Sequence, residues 1–283
     1  MTALELANKA APGLKAASPA VLRLLTLLQG QDASMEEVVA VLKQDAVLTA
    51  KLLRACNSPS MGYAEPVASV EQAVLLLGYD QMRQLILSLA FGDALGQQLS
   101  GYAVEANELW RHSLSVGVAA EITCATFDTG GAEHSAAFTA GLLHDIGKLV
   151  LNQVLTPKVQ ADILYQIAEH GLARVEAERH LLGCDHAEVG ASLLRLWNLP
   201  EELIEGVANH HAPILDGGHH LSPLVYLANC LAHLAGSAPG WEAYAVKIQG
   251  SVVTTYDLSD TKIERLLIRV REASDRAESF ITA

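Results

Sequence analysis

Chemistry in this sequence centres on Ala140-Gly141-Leu142-Leu143-His144-Asp145-Ile146-Gly147-Lys148-Leu149-Val150, an apolar run, read as helical, that is interrupted by an adjacent His-Asp pair. Polar groups flanked by Leu, Ile and Val must either satisfy each other or serve a site. Imidazole nitrogen beside carboxylate oxygen is a common pairing for first-row metals, and one carboxylate can bridge two ions. Lys148 follows His144 by four positions and Asp145 by three, so on a helix all three share one face. The alternative is a buried His-Asp hydrogen bond with Lys148 as a solvated cap. Distant histidines decide between the two.

Those histidines are His112, His186 and the pair His210-His211, giving the pattern H-x31-HD-x40-H-x23-HH. Each member falls on a different predicted helix, which is how an all-α domain builds a metal site from inward-facing side chains. Five histidines and one aspartate could serve two ions through a bridging carboxylate, and two such ions can activate water and clamp a phosphoryl group. Plainer accounts exist for each member. His112 and His186 could be core or capping residues, and a cationic His210-His211 would be favourable at a helix C-terminus. His219-His220, in a Gly-rich loop, reads as solvated, and Cys184 as a small buried thiol.

The elements that must position these residues read as a succession of helices. Ser18-Pro19 starts AVLRLLTLLQG, Asp32-Ala33-Ser34 opens MEEVVAVLKQ, and Asp45 opens AVLTAKLLRAC. Asn57 to Tyr63 is turn chemistry, with Asn57-Ser58 a helix stop. Ser69 caps VEQAVLLLG, and Asp80 begins QMRQLILSLAFGDAL. From about residue 103 the helices lengthen into VEANELWRHSLSVGVAAEITCATF. After the Gly130-Gly131 break, HSAAFTAGLLHDIGKLVLNQVL reads as one helix. Pro157 starts another, Asp185 or its neighbour begins HAEVGASLLRLWN, and Pro200 opens EELIEGVANHH. SPLVYLANCLAHLAG and a final helix from about Ser259 to Ser279 complete the set. SVVTTY at 251–256 has β propensity but no partner strand, and reads as a loop or helix end. Trp110, Trp197 and Trp241 read as core or lobe-interface anchors.

Composition narrows the function classes. A chain of 283 residues with 51% hydrophobic content can bury a substantial core. No apolar run reaches the roughly 18 residues of a membrane span, and MTALELANKAAPGLKAA lacks a signal-peptide core, so the cytoplasm is the expected location. Cys56, Cys124, Cys184 and Cys230 show no CxxC spacing, against both a disulfide framework and a zinc-finger module. The net charge of −13 from 19 basic and 32 acidic residues argues against nucleic-acid and anionic-membrane partners. Proteins or small molecules remain.

The histidine pattern resembles the HD superfamily of metal-dependent phosphohydrolases, and more closely its HDOD branch of bacterial signalling modules. The resemblance covers roughly residues 18 to 235. It rests on Asp45-Ala46-Val47-Leu48-Thr49-Ala50-Lys51-Leu52-Leu53-Arg54-Ala55-Cys56-Asn57-Ser58, on Ser69-Val70-Glu71-Gln72-Ala73-Val74 with Leu77-Gly78, on Trp110-Arg111-His112-Ser113, and on the His144-Asp145 segment. It implies that His112, His144 and Asp145 ligate one ion and that Asp145, His186, His210 and His211 ligate a second. The implied cofactor is one or two divalent transition ions (Fe, Mn, Zn or Ni). Asp145 and Lys148 would be the catalytic pair, Lys148 as a phosphate contact. One departure matters. Where HD hydrolases place an Asp, this chain has Ala228-Asn229, and Asn229 offers the first ion a neutral carbonyl oxygen instead of a carboxylate. The Gly-Tyr-Pro element of the cyclic-dinucleotide phosphodiesterase branch is also missing near Asn229.

The resulting expectation is an all-α, two-lobe HDOD-like fold: a lead-in over 1–18, an N-terminal lobe over 19–100, and an HD-like lobe with the C-terminal helix over 101–283. Two functions fit. One is a regulatory module that acts through signalling-protein partners and retains part of a metal site. The other is a metal-dependent phosphohydrolase acting on a phosphate-containing small molecule, such as a nucleotide or cyclic dinucleotide.

Overall fold

Short polar side chains set the helix starts. Asp45 Oδ1 accepts from Val47 N at 3.1 Å and Leu48 N at 3.0 Å, Ser69 Oγ from Gln72 N at 3.1 Å, and Asp185 Oδ1 from Glu188 N at 2.8 Å. Each satisfies backbone donors that a first helical turn leaves open. The computed structural model describes residues 2–14, 19–29, 34–63, 65–127, 131–216, 220–240 and 248–282. The expected cap at Ser18, the Asp32-Ala33 lead, Gly130, His219 and Trp241 lie outside the described residues.

In chain order the helices are α1 (Ala3–Ala10), α2 (Pro19–Gln29), α3 (Met35–Leu42), α4 (Ala46–Cys56), α5 (Val70–Leu95), α6 (Glu108–Phe127), α7 (Gly131–Leu143), α8 (Gly147–Leu151), α9 (Pro157–His170), α10 (Arg174–Leu182), α11 (His186–Leu196), α12 (Glu201–Ala208), α13 (Ser222–Leu234), α14 (Gly250–Thr255) and α15 (Asp260–Thr282). Among the described residues there is no strand, only the isolated bridge Leu99–Val104. Helices α2, α3 and α4 pack with α5 to make the N-terminal lobe. Helices α6, α7, α8, α11, α12 and α13 make the second, and α15 lies against α6 and α13 while also touching α4 and α5. Helix α1 docks on α11 and α8 of the second lobe. No described helix is long and apolar enough to cross a membrane.

Several sequence expectations need correction. The stretch from His134 to Leu155 is not one helix: α7 ends at Leu143, residues 144–146 form a turn, and α8 restarts at Gly147. The break lets the His144 ring fold back on its own helix end, where Nδ1 is 2.7 Å from Gly141 O. Residues 251–256 are mostly helical, as α14, because a lone β-prone run without a partner strand gains nothing by extending. The helix expected from about 103 begins at Glu108, since Leu99 and Val104 first exchange two backbone hydrogen bonds at 2.9 and 3.1 Å. The two helices expected on either side of Gly78 are arms of α5, kinked where Gly78 takes φ 74°. Asn57 is indeed a helix stop, with Nδ2 donating at 2.8 Å to both Leu53 O and Val67 O.

Two close crossings bring the functional segments together. A Cβ on Gly141 would lie 2.7 Å from Val116 O and 2.8 Å from Gly117 Cα, so only glycine lets α7 lie this close to α6. At Gly147 a Cβ would lie 1.9 Å from His186 O, which seats α8 directly on the start of α11. The glycines flanking His144-Asp145 thus set the spacing of α7 on α6 and of α8 on α11.

Candidate metal centre

Asp145 sits at the centre of the second lobe, 1% exposed. Its Oδ2 lies 3.3 Å from His144 Nε2, 3.8 Å from His112 Nε2 and 2.8 Å from Lys148 Nζ. Its Oδ1 lies 3.3 Å from His186 Nε2 and 3.8 Å from His210 Nε2. His211 joins the second set, with Nε2 2.9 Å from His186 Nε2. The donors form two groups, His112-His144-Asp145 and His186-His210-His211, in each of which the ligand atoms lie within 4.8 Å of one another. One carboxylate therefore faces a histidine pair with each oxygen.

The outer nitrogens explain why the inner ones point inward. His112 Nδ1 is 2.7 Å from Ser237 O, His144 Nδ1 2.7 Å from Gly141 O, and His210 Nδ1 2.7 Å from Val207 O. His186 Nδ1 is 2.7 Å from Glu178 Oε2. A carbonyl or carboxylate at Nδ1 fixes the proton there and leaves the Nε2 lone pair free, the usual support for a ligating histidine. The Nε2 atoms of His112, His144 and His210 are buried without a hydrogen-bond partner. Such orphaned acceptors around a shared carboxylate fit a divalent cation of the N/O-ligated first-row type.

Electrostatics agree with the geometry. Burial, followed by the neighbouring imidazoles, holds His112, His210 and His211 well below the ordinary 6.5, so these rings are neutral and able to ligate. That removes the reading of His210-His211 as a cationic cap on a helix dipole. Burial pulls His186 down too, but the Glu178 carboxylate outweighs it and the net shift is upward. For Asp145, burial alone pushes upward, yet the His144 ring and the Lys148 ammonium hold it well below the ordinary carboxylate value. Lys148 is 1% exposed, so it is not the solvated cap of the alternative reading; it is bound to Asp145.

A cleft of about 490 Å³ opens beside the second histidine group. Its lining includes His186, His210, His211 and Asn229 together with Arg174 and Tyr226. Asn229 Oδ1 is buried without a hydrogen-bond partner. Sequence reasoning missed three residues here. His233 lies one helical turn beyond Asn229 on α13, its ring 4.7 Å from that of His112, and i, i+4 spacing could have found it. Glu178 carries no motif at all. Arg174, 5.3 Å from the Tyr102 ring, marks the rim. Cys184 is a buried free thiol, and burial raises its pKa, as expected of a core residue. His220 is partly exposed and pairs with Asp216 at 2.9 Å, away from the cluster.

The sequence matches the HDOD domain family over residues 14–213. An uncharacterized protein of Treponema pallidum (strain Nichols) is 27% identical over 192 residues, which are 68% of this chain but 36% of that protein. This chain therefore spans about a third of the curated relative's length. Among solved structures, an HDOD domain protein of unknown function from Geobacter sulfurreducens is 25% identical with a TM-score of 0.69, covering 97% of both chains. A Marinobacter aquaeolei VT8 protein that bears a signal-transduction name is 24% identical with a TM-score of 0.73, covering 94% of this chain and 59% of that one, a likeness of fold.

Proposed function

Because the chain belongs to the HDOD domain family, we propose that it is a signal-transduction module that acts on protein partners and carries a metal centre built on Asp145. The observation that carries this reading is the placement of two histidine groups on opposite oxygens of one carboxylate, beside a neutral Asn229. His112, His144 and Asp145 would hold one ion, with Asn229 as a neutral fourth donor, and Asp145, His186, His210 and His211 would hold the other. Such ions, when bound, supply Lewis acidity toward a phosphoryl oxygen. The chain's own groups do the rest: Lys148 keeps Asp145 ionised, Glu178 fixes the His186 tautomer, and Arg174 offers the cleft a bidentate anion contact.

With only one carboxylate among the ligands, the first ion is held by less charge than in a two-carboxylate centre, which favours binding and signalling over turnover. Elemental analysis of the purified protein, followed by a phosphodiesterase assay with added manganese, tests the reading. The expected result is bound transition metal with no sustained hydrolysis. Protein that takes up no metal after loading would remove the centre, and robust hydrolysis would reverse the order of the two functions.

The phosphohydrolase reading has its own support, the 490 Å³ cleft opening onto the histidines beside Arg174. In that case Asp145 and Lys148 are the catalytic pair, and the substrate is a phosphate-containing small molecule sized for the cleft.

A further inference from the structure

A second cleft, of about 310 Å³, lies where α4, the second arm of α5 and the start of α6 meet, and it shares no lining residue with the cleft at the metal centre. Lys51 and Arg54 enter it from α4, Arg111 from α6, and Asp93 is the one carboxylate in its lining among the described residues. A chain of net charge −13 thus gathers three of its 19 Lys and Arg residues around one depression. Lys51 pairs with the exposed Asp93 at 2.7 Å and Arg111 with Glu278 at 2.6 Å, while Arg54 makes no ion pair among the described residues.

The floor supplies a second, independent observation. Trp110 is 5% exposed and its indole Nε1 has no hydrogen-bond acceptor. Indole nitrogen can only donate, so a buried N–H of this kind calls for an acceptor from outside the protein. It faces Gly92, where an added Cβ would stand 3.5 Å from Nε1, and both residues line the cleft. Ser88, 1% exposed and also in the lining, has a hydroxyl with no partner.

Two unsatisfied buried donors and three cationic side chains in one lining fit an acceptor-rich anion. With Lys51 paired to Asp93 and Arg111 to Glu278, one cation is in excess; what favours a phosphate monoester over a lone carboxylate is its three acceptor oxygens, enough to serve Arg54 and both buried donors at once. The volume falls at the lower end of small-molecule sites. We propose that this cleft binds a phosphate-bearing small molecule, with phosphate oxygens accepting from Trp110 Nε1 and Ser88 Oγ and with Arg54, Lys51 and Arg111 holding the charge.

The test is a titration of the full chain with inorganic phosphate, then with adenosine monophosphate, read by the indole ¹H–¹⁵N resonance of Trp110 and assigned with Trp110→Phe. Both ligands should move that resonance saturably by about 10 mM, a range set by a millimolar Kd. Arg54→Ala, an exposed change that leaves the core intact, should weaken binding about tenfold, the value of one charge-assisted contact. His210→Ala should leave this titration unchanged while lowering metal content, which separates this site from the metal centre. A resonance that does not move, that moves equally with sodium chloride at matched ionic strength, or that is unaffected by Arg54→Ala overturns the proposal. Loss of binding in His210→Ala would assign the phosphate to the metal centre and overturn it as well.

Discussion

Replacing Gly147 with Ala inserts one methyl group at the contact between α8 and α11. The new Cβ would stand 1.9 Å from His186 O and 2.7 Å from Gly190 N. An ordinary carbon–oxygen approach is roughly 3.3 Å, so the helices must separate by more than 1 Å. The obstructing atoms are backbone and cannot rotate away. Overpacking of this kind costs about 1–3 kcal/mol, and a backbone clash belongs at the upper end. Removing a helical glycine returns up to about 1 kcal/mol, leaving a net loss of about 2 kcal/mol. At about 2–4 °C per kcal/mol for chains of this size, the melting temperature should fall by about 4–8 °C. The same separation draws Asp145 and Lys148 away from His186, so metal content should drop with it. Gly190→Ala is the matched control, since its Cβ would meet Val207 Cγ1 at 3.2 Å and nothing closer. Differential scanning calorimetry with elemental analysis on both variants provides the measurement. A Gly147→Ala protein that melts with the wild type and keeps its metal would refute the crossing as the element that spaces the site.

Glu178→Gln keeps the shape at His186 but replaces the carboxylate at its Nδ1, and metal affinity measured by competition with a chelating dye should fall about 10–100-fold; equal affinities would mean Glu178 does not support a ligand. Asn229→Asp adds a carboxylate at nearly constant volume and should raise metal occupancy without lowering thermal stability, so unchanged occupancy would remove Asn229 from the ligand set. Asp145→Asn should release bound metal altogether, as read by elemental analysis, because it removes the carboxylate shared by both groups. For chelator-treated protein, His112, His210 and His211 are held below 6.5 in the folded state, so the unfolded chain binds more protons as pH falls through that value. Their contribution is complete above pH 6.5 and is lost below it, whereas His186, shifted upward, opposes them with one group against three. Urea denaturation should therefore show lower stability at pH 5.5 than at pH 7.5, and the reverse order would contradict these shifts.

How much of this was legible in the sequence depends on the kind of signal each residue leaves. Asp45, Ser69 and Asp185 announced their helices because capping is local, one side chain serving donors two or three residues on. The histidine pattern was legible because imidazole is rare enough for its spacing to carry information. The break after Leu143 was not, since Leu-His-Asp-Ile continues the helical period and the turn is imposed from outside by the approach of α11 to Gly147. Glu178 was invisible for a related reason: an acidic residue on a polar helix looks solvated, and only the fold buries it against His186. Gly141 and Gly147 stand inside an apolar run with no signal of their own, although they are what allows α7 and α8 to lie close to α6 and α11.

The docking of α1 on α8 and α11 has a kinetic consequence. Residues 3–10 are made before the surface they cover, which exists only when residues 147–196 have followed. During synthesis at about 5–20 residues per second, this helix waits on the order of ten seconds with its apolar face, Leu6, Ala7 and Ala10, uncovered. Closing so long a loop is entropically slow, and His210 and His211 emerge later still. Assembly of the candidate ligand set thus waits on the same long-range closure that covers α1, because His186, His210 and His211 lie on or beyond the elements α1 docks against.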